Sequence, residues 1–136
     1  MKSLKQWFVL TVFSALACSG LNAQIVNMSA HIPFDFHAGD KVMPAGEYQI
    51  HGEGQRFTLR SLEDRKALTT VVTQSAGSEQ ANRAASLDFT RLGDTHFLTT
   101  IWNGYSADGR QLAAPAIEKE LGKNAKPSRV TIAVRR

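Results

Sequence analysis

Apolar residues recur at every second position along most of the chain, which is the period of a half-buried β-strand. The clearest run covers 28–36, and its apolar positions are Met28, Ala30, Ile32, Phe34 and Phe36. Because Pro33 cannot donate a backbone hydrogen bond, this first strand is expected at a sheet edge or at a bulge. Comparable runs predict further strands at 47–51, 56–60, 68–73, 86–92, 95–103 and 130–134.

Glycine and proline mark the connections between these strands. Gly-Asp pairs at 39–40 and 93–94 predict tight hairpin turns, and Met-Pro-Ala-Gly at 43–46 predicts a type I turn. The other segments predict loops at 75–85 and 104–109 and a short helix at 116–121. The pattern predicts an all-β fold, an antiparallel sandwich or small barrel of about seven strands with one short C-terminal helix.

The N-terminal segment has the three parts of a secretory signal peptide. Lys2 and Lys5 precede an apolar run of about a dozen residues, which is too short to span a bilayer as a mature helix. Small residues before Gln24 favour cleavage after Ala23. We therefore expect a cleaved N-terminal signal helix at 1–23 and a single exported β-rich domain at 24–136.

The lone cysteine, Cys18, lies inside this signal, so the mature chain is expected to carry no thiol. Alternatively, Cys18 is an acylated lipoprotein terminus that anchors the domain to a membrane. Loss of Lys2 and Lys5 lowers the basic residues from sixteen to fourteen against twelve acidic ones, a formal charge of +2. This mild charge argues against nucleic acid as a partner, and the basic C-terminal run is interpreted as a solvated tail.

Two motifs carry a family resemblance. The sequence reads Pro-Phe-Asp-Phe at 33–36 and Pro-Ala-Gly-Glu-Tyr at 44–48, followed by Gly-Asp at 93–94 and Ile-Trp at 101–102. In these motifs it resembles a group of small exported proteins of Acidobacteria that are uncharacterised. The resemblance implies export and a β-rich fold, and it brings no catalytic residue, cofactor or partner.

Candidate chemistry is sparse. His31, Asp35 and His37 share the first strand region and could approach one metal ion, but no helical or alternating histidine pair supports a metal site. Asp35 and Asp88, each beside phenylalanine, are the candidate acid/base carboxylates, and alternation already explains both as outward-facing strand residues. No nucleophile, phosphate or dinucleotide motif occurs, so we expect no enzyme activity and no cofactor.

The aromatic residues favour a binding role. Phe34 and Phe36 on the first strand, and Trp102 and Tyr105 at a strand end, are the candidate partner-binding residues. The leading hypothesis is a non-enzymatic envelope or extracellular domain that binds a partner or joins an assembly, with the first strand as the edge that pairs with another chain. The alternatives are a hydrolase and a carrier of small apolar ligands, whose interior would be lined by Phe57, Leu59, Phe89, Phe97 and Ile101.

Overall fold

A computed structural model describes residues 25–78, 84–105 and 108–136. The predicted signal peptide with Cys18, and part of the predicted loop at 75–85, lie outside these residues. The strands are β1 (Ile25–Ile32), β2 (Phe36–Ala38), β3 (Lys41–Met43), β4 (Gly46–Glu53), β5 (Arg56–Ser61), β6 (Leu68–Ser78), β7 (Ser86–Leu92), β8 (Thr95–Trp102), β9 (Asp108–Leu112) and β10 (Ser128–Ala133). One helix, α1 (Ala116–Gly122), precedes β10. The predicted all-β class with a short C-terminal helix is confirmed.

The strands form one mixed sheet with the order β1-β4-β5-β6-β9-β8-β2-β3. Strand β7 pairs with β8, and β10 pairs with β7. All pairings are antiparallel except that of β2 with β8, where His37 lies opposite Phe97. The sequence predicted an antiparallel arrangement, and the parallel pairing of β2 with β8 is the one departure from it among the described strands.

The end of the chain returns to the first strand. Ser29 and Arg135 exchange two backbone hydrogen bonds of 2.8 Å, from N–H to carbonyl in each direction. This bridge places the segment after β10 beside β1.

The observed strands differ from the predicted ones at several places, one of which is the additional short strand β3. The first predicted strand is interrupted after Ile32, before Pro33, and resumes as β2 at Phe36. Strand β6 continues through Ser78 into the segment that the sequence predicts as a loop. Strand β9 begins at Asp108, inside the other predicted loop, and pairs with both β6 and β8.

A continuous apolar core fills the space between the strands. Strand β1 contributes the alternating side chains of Val26, Met28, Ala30 and Ile32, as its pattern predicts. The other large core residues are Phe36, Met43, Tyr48, Ile50, Phe57, Leu59, Val71, Leu87, Phe89, Leu98, Ile101 and Leu112. This burial of apolar surface is the main favourable contribution to folding.

Within the described ranges, no helix has the length and hydrophobicity that crossing a membrane requires.

Candidate functional site

The four candidate partner-binding residues occupy different environments. Phe36 and Trp102 are buried, with 1% and 2% of their surface exposed, so neither ring is accessible to a partner in this conformation. Phe34 is half-buried and stacks on His96, with ring centroids 3.8 Å apart. Tyr105 is exposed, and the Arg136 guanidinium lies 4.3 Å from its ring centroid. The structure therefore does not gather these residues into one surface.

The two motifs of the family resemblance meet at the turn between β3 and β4. The Asp35 carboxylate accepts a hydrogen bond of 2.8 Å from the Ala45 N–H, and the buried Tyr48 hydroxyl donates to the Pro44 carbonyl. Burial, and then the negative charges of Asp35, Asp64 and Glu63, raise the pKa of Tyr48 to about 12. These contacts give Asp35 and Tyr48 a structural role.

Gly46, in the same turn, has a φ of +148°, which L side chains rarely adopt. A Cβ atom there would also lie 2.9 Å from the Glu63 carboxylate. Glycine at this position is therefore explained by backbone conformation and close approach.

Asp88 lies in a buried polar cluster on the face of β7 opposite the core. Its carboxylate accepts hydrogen bonds from the Trp102 indole N–H at 3.0 Å and from the Thr131 hydroxyl at 2.9 Å. The Arg129 guanidinium approaches the same carboxylate at 3.9 Å. The prediction of Asp88 as an outward-facing residue is right about the face, but the side chain is covered rather than exposed, because these groups pack over it.

The four histidines have separate partners. His31 lies 3.0 Å from a Glu47 carboxylate oxygen, and His51 lies 2.7 Å from the side-chain oxygen of Asn27. His37 stacks on Phe97, and His96 stacks on Phe34. No group of three potential metal ligands occurs among the residues that the structure describes. The histidines are thus distributed over the surface of the sheet.

The predicted interior of a ligand carrier is occupied by packed side chains. Phe57, Leu59, Phe89 and Ile101 belong to the apolar core and are almost fully buried. The fifth residue, Phe97, is also buried, but it is not part of that core cluster and stacks on His37. All five side chains are therefore buried and packed against other groups of the protein.

The strongest binding feature is a stretch of β6 that pairs with β5 on one side and, in the described part of the chain, has no strand beside it on the other. Thr73 N–H donates to the Gln55 carbonyl, and Ser61 N–H donates to the Ala67 carbonyl, so the odd-numbered residues here direct their backbone groups toward β5. Because these directions alternate along a strand, Thr70 and Val72 direct their N–H and C=O groups away from β5. Strand β9 begins to pair with β6 only at Thr73, and this register places the Ala113 N–H on the Val72 carbonyl. The Thr70 N–H, the Thr70 carbonyl and the Val72 N–H therefore remain without a partner in any described strand. We call Thr70 and Val72 the β6 edge.

The β6 edge faces a groove of about 520 Å³. Its walls are residues 38–41 of the β2–β3 hairpin, residues 69–72 of β6 and residues 112–115 after β9. Val72, in the β6 wall, exposes 65% of its surface. At one end the Lys41 ammonium donates to the Leu68 carbonyl, on the same side of β6. The groove therefore combines apolar walls with unpaired backbone groups.

Sequence reasoning missed this site, although the run 68–73 carries a signal for it. In a half-buried strand, adjacent residues face opposite sides. The consecutive valines Val71 and Val72 therefore could not both enter the core. Val71 is buried and Val72 is exposed. What the sequence does not contain is the point at which β9 stops pairing with β6.

Comparisons with protein-family models, with curated proteins and with solved structures give no match.

Proposed function

We propose that this protein is an exported, non-enzymatic domain that binds an extended segment of a partner protein by adding it as a strand at the β6 edge. The N-terminal pattern of basic, apolar and small residues supports export. The contacts of Asp35 and Asp88, which tie a turn and a buried cluster together, support a structural rather than a catalytic role for both carboxylates.

The observation that carries the proposal is the β6 edge, where the Thr70 N–H, the Thr70 carbonyl and the Val72 N–H are turned away from β5 beside the groove. An added antiparallel strand can make up to about three hydrogen bonds to these groups, each contributing about 0.5–1.5 kcal/mol net. Exposed Val72 offers an apolar contact to a side chain of the added strand.

The β6 edge fits this role better than the predicted first strand. Strand β1 pairs with β4 at eight consecutive positions, and its other side is bridged to Arg135. The phenylalanines that made the first strand attractive lie beyond β1, where Phe36 is buried and Phe34 packs against Phe89. The proposed interface is therefore moved from β1 to β6.

The test is a selection of random octapeptides displayed on phage against the immobilised domain 24–136. We expect peptides with alternating apolar residues, and we expect the substitution V72P to abolish their binding because proline removes an N–H from the β6 edge and adds a ring there. V72T, which keeps the N–H and a β-branched side chain, is the matched control and retains binding.

Equal binding of the selected peptides to the wild type and to V72P would refute strand addition at this edge. Amide chemical shifts of the labelled domain locate the peptide independently. Shifts confined to residues far from 68–72 would also contradict the proposal.

A further inference from the structure

The connection between β5 and β6 separates its acidic side chains from its basic ones. Glu63 lies against Gly46, close enough that a Cβ there would be 2.9 Å from its carboxylate. Asp64 accepts a hydrogen bond of 3.0 Å from the Lys66 N–H. The charges of both carboxylates also help to raise the pKa of Tyr48.

The basic side chains of this region line a different surface. Arg60 and Arg65 form a second groove of about 480 Å³ with Ser61, Leu62 and Leu68. Leu62 and Leu68 are exposed within it. In the described part of the chain, no carboxylate lies within ion-pair distance of either guanidinium. This surface, which we call the arginine groove, therefore combines two available cations with two exposed leucines.

The arginine groove and the groove at the β6 edge are lined by consecutive residues of β6. Leu68 lines the arginine groove, and the next residues of the same strand, 69–72, line the groove at the β6 edge. Both neighbours of β6 in the sheet are antiparallel to it. A strand added with the same antiparallel direction runs from Val72 toward Leu68. Its C-terminal end therefore arrives at the end of β6 where the Leu68 side chain lines the arginine groove and Lys41 donates to the Leu68 carbonyl.

We propose that the segment bound at the β6 edge carries a carboxylate at its C-terminal end, held by Arg60 and Arg65, behind apolar residues that lie along Thr70 and Val72. This inference rests on the proposed function of the β6 edge. The guanidinium group presents paired donors that match a carboxylate, and such charge-assisted bonds are roughly twice as strong as neutral ones. The carboxylate belongs either to an aspartate or glutamate side chain or to the end of a polypeptide.

The experiment uses synthetic octapeptides taken from the phage selection, each made as the free acid, as the C-terminal amide, and with Asp and Glu replaced by Asn and Gln. Binding to domain 24–136 is measured by fluorescence anisotropy at low and high salt. We expect removal of the decisive carboxylate to weaken binding by about tenfold or more. The free-acid and amide forms show whether that carboxylate is the chain terminus or a side chain.

Arg56 provides a matched control because it is exposed and lies opposite Val72, at the other end of the edge. We expect the double variant R60Q/R65Q to bind the acidic peptides about tenfold or more weakly and the neutralised peptides as the wild type does. R56Q should leave both unchanged. Circular dichroism and the thermal midpoint check that each variant is folded.

The outcomes separate the two proposals. Neutralised peptides that bind as tightly as acidic ones, or an R56Q effect equal to that of R60Q/R65Q, would overturn the carboxylate site while V72P still reports on strand addition. If R60Q/R65Q abolishes binding but V72P does not change it, the arginines hold a carboxylate without an added strand, and the proposed function fails. The expected result is that V72P abolishes binding of the acidic peptides, R60Q/R65Q weakens it by about tenfold or more, and R56Q leaves it unchanged.

Discussion

Two single substitutions, V72P and V71P, test the backbone geometry of the β6 edge without any partner. Val72 directs its N–H into the groove, so V72P removes no ladder hydrogen bond, and its side chain is already mostly exposed. The residue before it is already extended, as proline requires. We expect the free energy of unfolding to fall by no more than about 1 kcal/mol.

V71P should behave very differently. Val71 lies opposite Phe57 in a position that bonds to β5, and 7% of its surface is exposed. Proline there removes one ladder bond, contributing about 0.5–1.5 kcal/mol, and leaves a buried carbonyl without its donor at a cost of about 1–3 kcal/mol. Lost packing of the valine side chain adds to this, giving an expected total of about 3–5 kcal/mol.

The assay is urea unfolding of domain 24–136 followed by tryptophan fluorescence, with the midpoint and slope fitted for each variant. A difference of about 2 kcal/mol or more between V71P and V72P supports the alternation. Similar destabilisation by both would mean that Val72 N–H has a partner within the fold, and the β6 edge would not be a binding site.

Three further predictions concern buried polar and ionisable groups. In the buried cluster each Asp88 oxygen accepts from its own donor, and D88N replaces one of these oxygens by an NH2 group that cannot accept, so it should lower the free energy of unfolding by about 2–4 kcal/mol. D94N at the exposed hairpin should change that free energy by less than about 0.5 kcal/mol, and equal effects in urea unfolding would contradict the cluster. Because the pKa of Tyr48 is raised from 10.0 to about 12, its contribution to folding stability is full below pH 10 and falls as the pH rises toward 12, by on the order of 2 kcal/mol. Y48F should remove that loss, and an identical decrease of the free energy of unfolding with pH in Y48F would refute this prediction. Burial, and then the charge of Arg91, lower the pKa of His96 from its ordinary value of 6.5. The contribution of His96 to folding stability is therefore present above pH 6.5 and is lost on acidification, and an NMR titration that gives His96 a pKa of 6.5 or higher would exclude this.

Local signals predicted several elements correctly. The Gly-Asp pairs at 39–40 and 93–94 lie at the turns of the β2–β3 and β7–β8 hairpins. The alternation of apolar residues in β1 matches its burial, and Pro33 lies just past its end. These features depend on neighbouring residues, so a single sequence contains the information.

Elements set by distant contacts were missed. Strand β9 contains little apolar sequence, and its place is fixed by the packing of Trp102 over Gly109, where a Cβ atom would lie 2.9 Å from the indole ring. The same packing contributes to the burial of Trp102, which the sequence offered as a candidate partner-binding residue. The β6 edge likewise exists because β9 pairs only from Thr73 onward, a fact of tertiary structure.

Lys41 has a consequence for the free protein. Unpaired strand edges invite pairing between copies, and natural proteins often place lysine there to prevent it. By donating to the Leu68 carbonyl, Lys41 covers one end of the β6 edge. We therefore expect K41A to increase self-association in sedimentation velocity, and an unchanged monomer fraction would contradict this role.

The bridge between Ser29 and Arg135 makes the domain suitable for circular permutation. Continuing that antiparallel register, Arg136 lies opposite Met28, so only about three residues of strand, or about 10 Å, separate it from Ile25. A short glycine-serine linker could join these positions, and new termini could be opened at the exposed turn between β7 and β8. A display scaffold built in this way would keep the β6 edge away from both new ends of the chain.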